Sequence, residues 1–485
     1  MDGSELFGII LLIAHGCIAL VASVLVSANR RPSSAIAWIL LIVFVPFLGV
    51  TAFVFVGIGR LPRRRREKQR EINRLMFERS SALDRASLPA SPDWLESAVH
   101  LNTNLGSLPM LSGNAMRLLD DYGGTLDAMI ADIDAARDYV HVMFYILVLD
   151  QTTKPFFDAL ARARARGVQV RVLSDHLSGL MFPRRRETLR AFEEMGAEWR
   201  AMLPLRPLRG QWQRPDMRNH RKLVVVDGRV GFTGSQNLID ASYLKPGNVR
   251  RGLEWVELMV RMTGPIVAEL DAVFVTDWFS ETDELLPVDG RASSSNAALT
   301  GTTAHAQIVP SGPSFENDNN LKLFVLLLQN ARHRISVTSP YFVPEESTLL
   351  ALITAASRGV RVELFVSEIG DQLLVYHAQR SYYEVLLRAG VAIYLYRAPH
   401  VLHSKHFSID DEVAVIGTSN MDIRSFSLNM EVSVLVRSRE FVEQMRQVED
   451  GYRTNSVRMS LEDWLKRPLG QKVRDNLARL TSSLM

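Results

Sequence analysis

The sequence holds one cysteine in 485 residues, Cys17. An intramolecular disulfide framework is therefore excluded, which suits a reducing compartment and leaves the fold to its own core. With 47% hydrophobic residues, the chain can bury two domains of ordinary size. A general excess of basic charge is missing too. The formal charge is only +3, and residues 1–70 carry nine Lys/Arg against three Asp/Glu, leaving 47 against 50 for the rest. A mildly acidic body argues against nucleic acid as a partner, because that binding is driven by basic surface. There is also no compact ligand cluster of the kind zinc sites use, so no metal and no cofactor is expected.

Two long apolar runs stand at the N-terminal end. Leu6 to Val26 has no formal charge beyond a neutral His15, and Ala35 to Ile58 has none. Each is long enough to cross a hydrocarbon core of about 30 Å. The first run lacks the lysines of a signal peptide, carrying Asp2 and Glu5 instead, and a second run follows directly. The reading is a transmembrane hairpin over residues 1–60, with helices at about 6–26 and 35–58 and a tolerable kink at Pro46 and Gly49. Arg60, Arg63, Arg64, Arg65, Arg66, Lys68 and Arg70 follow and outnumber Arg30 and Arg31. The positive-inside rule then puts the body on the cytoplasmic side of the cell (inner) membrane, as a multi-pass protein. The same cluster lies at the level of anionic headgroups, so topology signal and lipid capture both stand as its role.

The rest of the chain is organised around one stretch and its echo. His220-Arg221-Lys222 through Asp227 reads His-x-Lys-x4-Asp, and His403-Ser404-Lys405 through Asp410 repeats it 183 positions later. Each copy runs into a small-residue turn ending in asparagine, Gly234-Ser235-Gln236-Asn237 and Gly417-Thr418-Ser419-Asn420. The apolar runs on either side of Asp227-Gly228 and Asp410-Asp411 predict a β-hairpin in each copy. Strand alternation then puts His220 beside Lys222, and His403 beside Lys405, on one face.

Further repeats flank the motif. Ala135 to Val142 matches Asn330 to Val337, and Arg166 to Val172 matches Arg358 to Leu364. Strands alternating with helices of ten to fifteen residues predict an α/β fold: two duplicated sandwich halves with largely parallel sheets and the site at their pseudo-two-fold interface. The predicted divisions are a basic juxtamembrane segment and linker at 61–109, a first half at 110–284, a linker at 285–318 and a second half at 319–485. The second linker is assigned on its Ser, Ala, Thr, Gly and Asn content.

Two facing imidazoles suit displacement at phosphorus. One attacks while neutral, and the other, protonated, donates to the leaving oxygen and later takes a proton from the incoming alcohol. Lys222, Lys405, Asn237 and Asn420 would surround the non-bridging phosphate oxygens, with Ser235 and Thr418 adding hydroxyl donors. Glu257 and Glu431, on apolar strands after their hairpins, are the candidates for orienting the histidines. Asp227 and Asp410 complete the motif but sit at hairpin turns, where accepting backbone N–H bonds is the expected role.

These residues resemble the phospholipase D superfamily, and within it the bacterial cardiolipin synthases. The resemblance extends to Asn29-Arg30-Arg31, Ser339 through Pro344, Arg380-Ser381-Tyr382-Tyr383, and Met421-Asp422-Ile423-Arg424-Ser425-Phe426. It implies transfer of a phosphatidyl group between two phosphatidylglycerol molecules, with anionic membrane lipids as partners and glycerol released. It also implies His220 as nucleophile and His403 as acid/base, through a phosphatidyl-histidine. Gln236 stands where many superfamily members have a second glycine. A hydrolase or headgroup-exchange enzyme, using water or another alcohol as acceptor, is the alternative from the same chemistry.

Overall fold

The computed structural model describes residues 3–27, 32–57, 65–69, 71–72, 92–106, 108–206, 208, 211, 213–287, 301–313, 315 and 318–482. The chain divides into two units, the smaller made of residues 1–60 with 212–216. Within it, the helix Gly3–Ser27 is apolar and long enough to cross a membrane over Glu5–Ser27. It packs along the helix Pro32–Phe44 through Val26, Ala35 and Ile42. The second predicted span is not one continuous helix. It breaks at Val45, whose ψ of 69° leaves the helical region, and resumes as Pro46–Ala52 and a π-helical turn Phe53–Gly57. Pro46 causes this, having no N–H for the preceding turn. The predicted Arg30, Arg31, Arg60, Arg63, Arg64 and Arg70 lie outside the described residues.

The larger unit holds one mixed sheet built twice. The first half supplies β1 (Leu111–Leu119), β2 (Tyr139–Phe144), β3 (Gln169–Asp175), β4 (Glu198–Met202), β5 (Leu223–Val226), β6 (Val230–Gly234), β7 (Glu254–Val256) and β8 (Met259–Thr263). The second supplies β9 (Thr302–Ser311), β10 (Arg334–Thr338), β11 (Phe342–Val343), β12 (Arg361–Ser367), β13 (Ala392–Tyr396), β14 (His400–Leu402), β15 (His406–Ile409), β16 (Val413–Gly417), β17 (Met421–Asp422), β18 (Glu431–Arg437) and β19 (Ser456–Arg458). The order is β4-β3-β2-β5-β6-β8-β1 and then β9-β18-β16-β15-β10-β12-β13-β19. The halves join where β1 and β9 pair antiparallel, Met116 opposite Thr302.

Only part of this sheet is parallel. β2, β3 and β4 run parallel, as do β10, β12 and β13. The motif hairpins enter antiparallel, β5 against β2 and β15 against β10. Helices cover both faces. Ile266–Thr282 and Arg439–Thr454 share a core with strands of both halves, including Leu270, Val260, Ile308, Val434 and Val442. The opposite face of each half has its own cluster, around Phe156 and Leu160 or around Phe324 and Leu327. Each such side chain contributes roughly 1.5–3 kcal/mol on full burial.

Two predicted boundaries need correction. Of the expected linker 285–318, residues 302–311 form β9, a ten-residue strand beside the symmetry-related β1, while 288–300 lie outside the described residues. Its Ala306 and Ile308 are core residues, hidden by a small-residue neighbourhood. The expected linker 61–109 ends in a packed helix, Asp93–Gly106, which buries Leu95 and Ala98 in the second half's core. Arg65 pairs through both terminal nitrogens with Glu281 at 2.8 and 2.7 Å, and Lys68 pairs with Asp283. These two cations are thus committed to the body.

Candidate active site

The two His-x-Lys segments lead into β5 and β15 as extended chain rather than lying within those strands. Each runs beside the other half. The His220 N–H donates to Met430 O at 2.9 Å, and Met430 N–H returns to Arg218 O at 2.9 Å. The symmetry-related step follows from parallel pairing of β14 with β7, and the His403 N–H donates to Val256 O at 2.8 Å. Met430 and Val256 immediately precede Glu431 and Glu257. The crossing of the chains therefore sets each glutamate beside the other half's histidine.

His220 Nδ1 lies 2.9 and 3.0 Å from the two Glu431 oxygens, and His403 Nδ1 lies 2.8 Å from Glu257 Oε1. A carboxylate accepts only, so Nδ1 carries the proton and Nε2 is left for chemistry in both rings. The carboxylates are held in turn. Thr418 and Ser425 hydroxyls donate to Glu431 at 2.5 and 3.0 Å, while the Tyr243 hydroxyl donates to Glu257 at 2.9 Å. Burial would push both glutamates up, but the facing histidine and lysines outweigh it and hold them below the ordinary carboxylate value.

Each lysine folds back on its own histidine. Lys222 Nζ donates to His220 O, and Lys405 Nζ to His403 O, both at 2.6 Å. Lys405 Nζ also stands 3.2 Å from His403 Nε2. Burial dominates the titration of all four groups. It brings His220 down to about 4 against the opposing pull of Glu431, with Lys222 and Lys405 adding to the fall. His403 is lowered as well, Lys405 falls to about 8, and Lys222 drops well below the usual lysine range. Lys222 and Lys405 repel one another, which places the two halves' cations at one centre.

The asparagine turns support this centre more than they line it. A Cβ on Gly234 would collide with Leu258 O, and one on Gly417 with Val432 O, so only glycine permits these approaches. The Ser235 hydroxyl then bonds Leu258 O and N, and the Thr418 hydroxyl bonds Glu431 and Val432 N. Both are positioning groups here, which corrects the expectation that they face phosphate. Asn237 accepts from Ile146 N at 3.2 Å and donates to the Tyr243 hydroxyl at 2.9 Å. Asn420 is buried, its N–H donating to Ser425 Oγ at 3.1 Å.

Asp227 and Asp410 belong to the scaffold. Asp227 accepts the N–H groups of Arg137, Asp138 and Tyr139, and Asp410 those of Arg332, His333 and Arg334. Each ties its hairpin turn to the start of β2 or β10, so neither is a catalytic residue. His406 is buried 3.8 Å from Glu449, on a different partner from His403.

Side chains outside the two motifs complete the surroundings of each histidine. The Tyr145 ring packs edge-on to His220 at 5.1 Å with Lys222 Nζ 5.5 Å from its centre, and Tyr341 packs edge-on to His403 at 6.1 Å. The Tyr341 hydroxyl donates to Asp371 at 2.9 Å. Arg221 points away from His220 and Lys222, bonding Asp277 at 2.6 Å, Glu431 O at 3.0 Å and Ser311 O at 3.1 Å. Arg221→Ala leaves Asp277 buried without its partner and is expected to cost about 3–5 kcal/mol of stability. The check is thermal unfolding in detergent, where an unchanged midpoint would contradict this role.

Residues 129–278 and 324–450 match the family described as cardiolipin synthase, PLD-like domain. The chain belongs to this family. Cardiolipin synthase family members at similar length include the cardiolipin synthase A of Proteus mirabilis, 30% identical over 94% of each chain. That of Yersinia pseudotuberculosis is 31% identical, also over 94% of each. Residues 17–57 match a phospholipase D-nuclease N-terminal family. Among solved structures, phosphatidylserine synthase of Haemophilus influenzae shares the fold, with a TM-score of 0.59 at 15% identity over 80% of this chain and all of that one. Family membership makes the protein an enzyme of the phospholipase D type, a phospholipid phosphatidyltransferase.

Proposed function

We propose that the enzyme joins two phosphatidylglycerol molecules into cardiolipin and releases glycerol. The observation that carries this reading is the pair of imidazoles, each with Nδ1 bound to a carboxylate of the other half and Nε2 turned from it, that of His403 facing Lys405 at 3.2 Å. Neutral His220 attacks phosphorus through Nε2, and the bond from phosphorus to the glycerol oxygen breaks. Protonated His403 gives its Nε2 proton to that oxygen. His403 then takes a proton from a hydroxyl of the second phosphatidylglycerol, whose oxygen attacks phosphorus and expels His220. Lys222 and Lys405 supply the positive charge that stabilises the phosphorane-like oxygens. Asn420 takes part through its amide donor, while that of Asn237 holds the Tyr243 hydroxyl that braces Glu257. The N-terminal helices form a two-span hairpin in the inner membrane, with the body on the cytoplasmic side.

Incubation with labelled phosphatidylglycerol in mixed micelles tests the reaction. Equal amounts of cardiolipin and glycerol, unaffected by chelator, are expected. Phosphatidic acid with glycerol would mean that water is the acceptor.

The charge states give a pH profile. His220, with its pKa near 4, is neutral and competent above that value, so the rate is lost as pH falls through about 4. On the alkaline side, His403 loses the proton it must donate, and above about 8 Lys405 loses its charge. Lys222, itself well below the usual lysine range, loses its charge on the same side, so log kcat/KM should fall more steeply than −1 and bend again near pH 8 as Lys405 deprotonates, within about a unit. In Lys405→Arg, the cation persists and the second break should disappear.

A further inference from the structure

The helix Leu469–Arg479 packs with its polar side inward. Asp475 is buried and accepts from Arg467 Nη1 at 2.7 Å, His377 Nδ1 at 2.8 Å and Arg380 Nε at 3.4 Å. The apolar side chains point the other way. Leu469, Val473 and Leu477 are 76%, 48% and 60% exposed, and Leu480 at the C-cap is 78% exposed. At about 100° per residue these four fall within an arc of roughly 80°. The neighbouring helix Leu373–Arg380, which His377 and Arg380 tie to Asp475, adds Leu373 and Leu374, 73% and 58% exposed.

Burying a carboxylate while exposing four aliphatic side chains makes no sense in water alone. The charges name the occupant. Exposed Arg474 and Arg479 flank the stripe, Arg479 lying over the Tyr382 ring, Lys472 donates to Leu465 O at 2.9 Å, and the helix's one acidic residue is already neutralised. An apolar stripe with basic flanks fits an anionic bilayer surface, where the side chains enter the headgroup boundary and the cations meet phosphates. A second copy of the same helix would bring like charges together.

We propose that this helix pair is an interfacial docking surface for anionic phospholipid. Its position serves the site: Leu373 lies two residues beyond Asp371, the partner of the Tyr341 hydroxyl, and Tyr341 packs on His403. Docking sets that side of the site against the lipid from which substrate enters. The inference rests on the lipid-substrate reading, and its first test does not use activity.

The full chain is reconstituted in nanodiscs of phosphatidylglycerol and phosphatidylcholine after Cys17→Ser and Leu477→Cys, with an environment-sensitive fluorophore at 477. A blue-shifted emission, quenched by lipids spin-labelled near the headgroup, is expected. The same label on exposed Glu443→Cys serves as reference. Water-like, unquenched emission at 477 would overturn the proposal, as would shielding in lipid-free detergent accompanied by dimerisation. As a second test, Val473→Glu with Leu477→Glu should lower turnover of bilayer phosphatidylglycerol at least tenfold and leave that of monomeric short-chain phosphatidylglycerol unchanged. Equal effects on both substrates, or none on either, would overturn it. If the enzyme proves a hydrolase, the quenching result is unaffected, so the two failures are distinguishable.

Discussion

Alanine at either His220 or His403 is expected to lower phosphatidyl transfer by at least about a thousandfold, because one site needs both rings. Each substitution also leaves a buried glutamate without its histidine, so the unfolding midpoint should fall, and activity is compared at a temperature where the variant is still folded. The two losses should also differ in kind. In the proposed mechanism His403 only moves protons, and a phosphodiester with a nitrophenol leaving group needs no proton to depart. Such a substrate should restore part of the first step in His403→Ala and none in His220→Ala. Near-normal transfer in either variant would mean that the halves work as independent sites, against the lysine repulsion and crossed carboxylates that join them.

Glutamine at Glu257 or Glu431 should cost on the order of a hundredfold or more in kcat, by analogy with amide replacement of a histidine-orienting carboxylate. The pattern should be crossed. Glu431 holds His220, so Glu431→Gln should damage covalent attack and resist rescue by a good leaving group. Glu257 holds His403, so Glu257→Gln should be partly rescued. Removing Glu257 also takes away a charge that raises the His403 pKa, so the alkaline fall should begin at lower pH. In double variants, Glu431→Gln should add little to His220→Ala, since it acts through that ring. Rescue of Glu431→Gln and not of Glu257→Gln would reverse the assignment.

The duplication, the paired His and Lys and the two glutamates were legible because their spacing repeats and because a carboxylate in an apolar strand needs a partner. Which glutamate serves which histidine was not. That depends on cross-half backbone bonds at Met430 and Val256, between segments about 150 to 210 residues apart, and local pattern carries no trace of them. Tyr243 and Ser425 were missed because the halves fill the same duty with different residues, each supplying a hydroxyl shortly after the motif asparagine. β9 was hidden for a compositional reason, since Thr302–Ser311 has few large apolar residues and abuts a Ser/Ala/Asn-rich run. Ser235 and Thr418 looked like phosphate ligands because hydroxyls near a motif serve either phosphate or scaffold. Their bonds to Leu258, Glu431 and Val432 decide for the scaffold.

The most direct test of a single shared site is the stoichiometry of the covalent intermediate. The enzyme is mixed with phosphatidylglycerol labelled at phosphorus, quenched in alkali within the first turnovers, and mapped for phosphohistidine. One label per chain at most, carried by His220 and lost in His220→Ala, is the expected result. Label on both His220 and His403, summing to two per chain, would contradict the account.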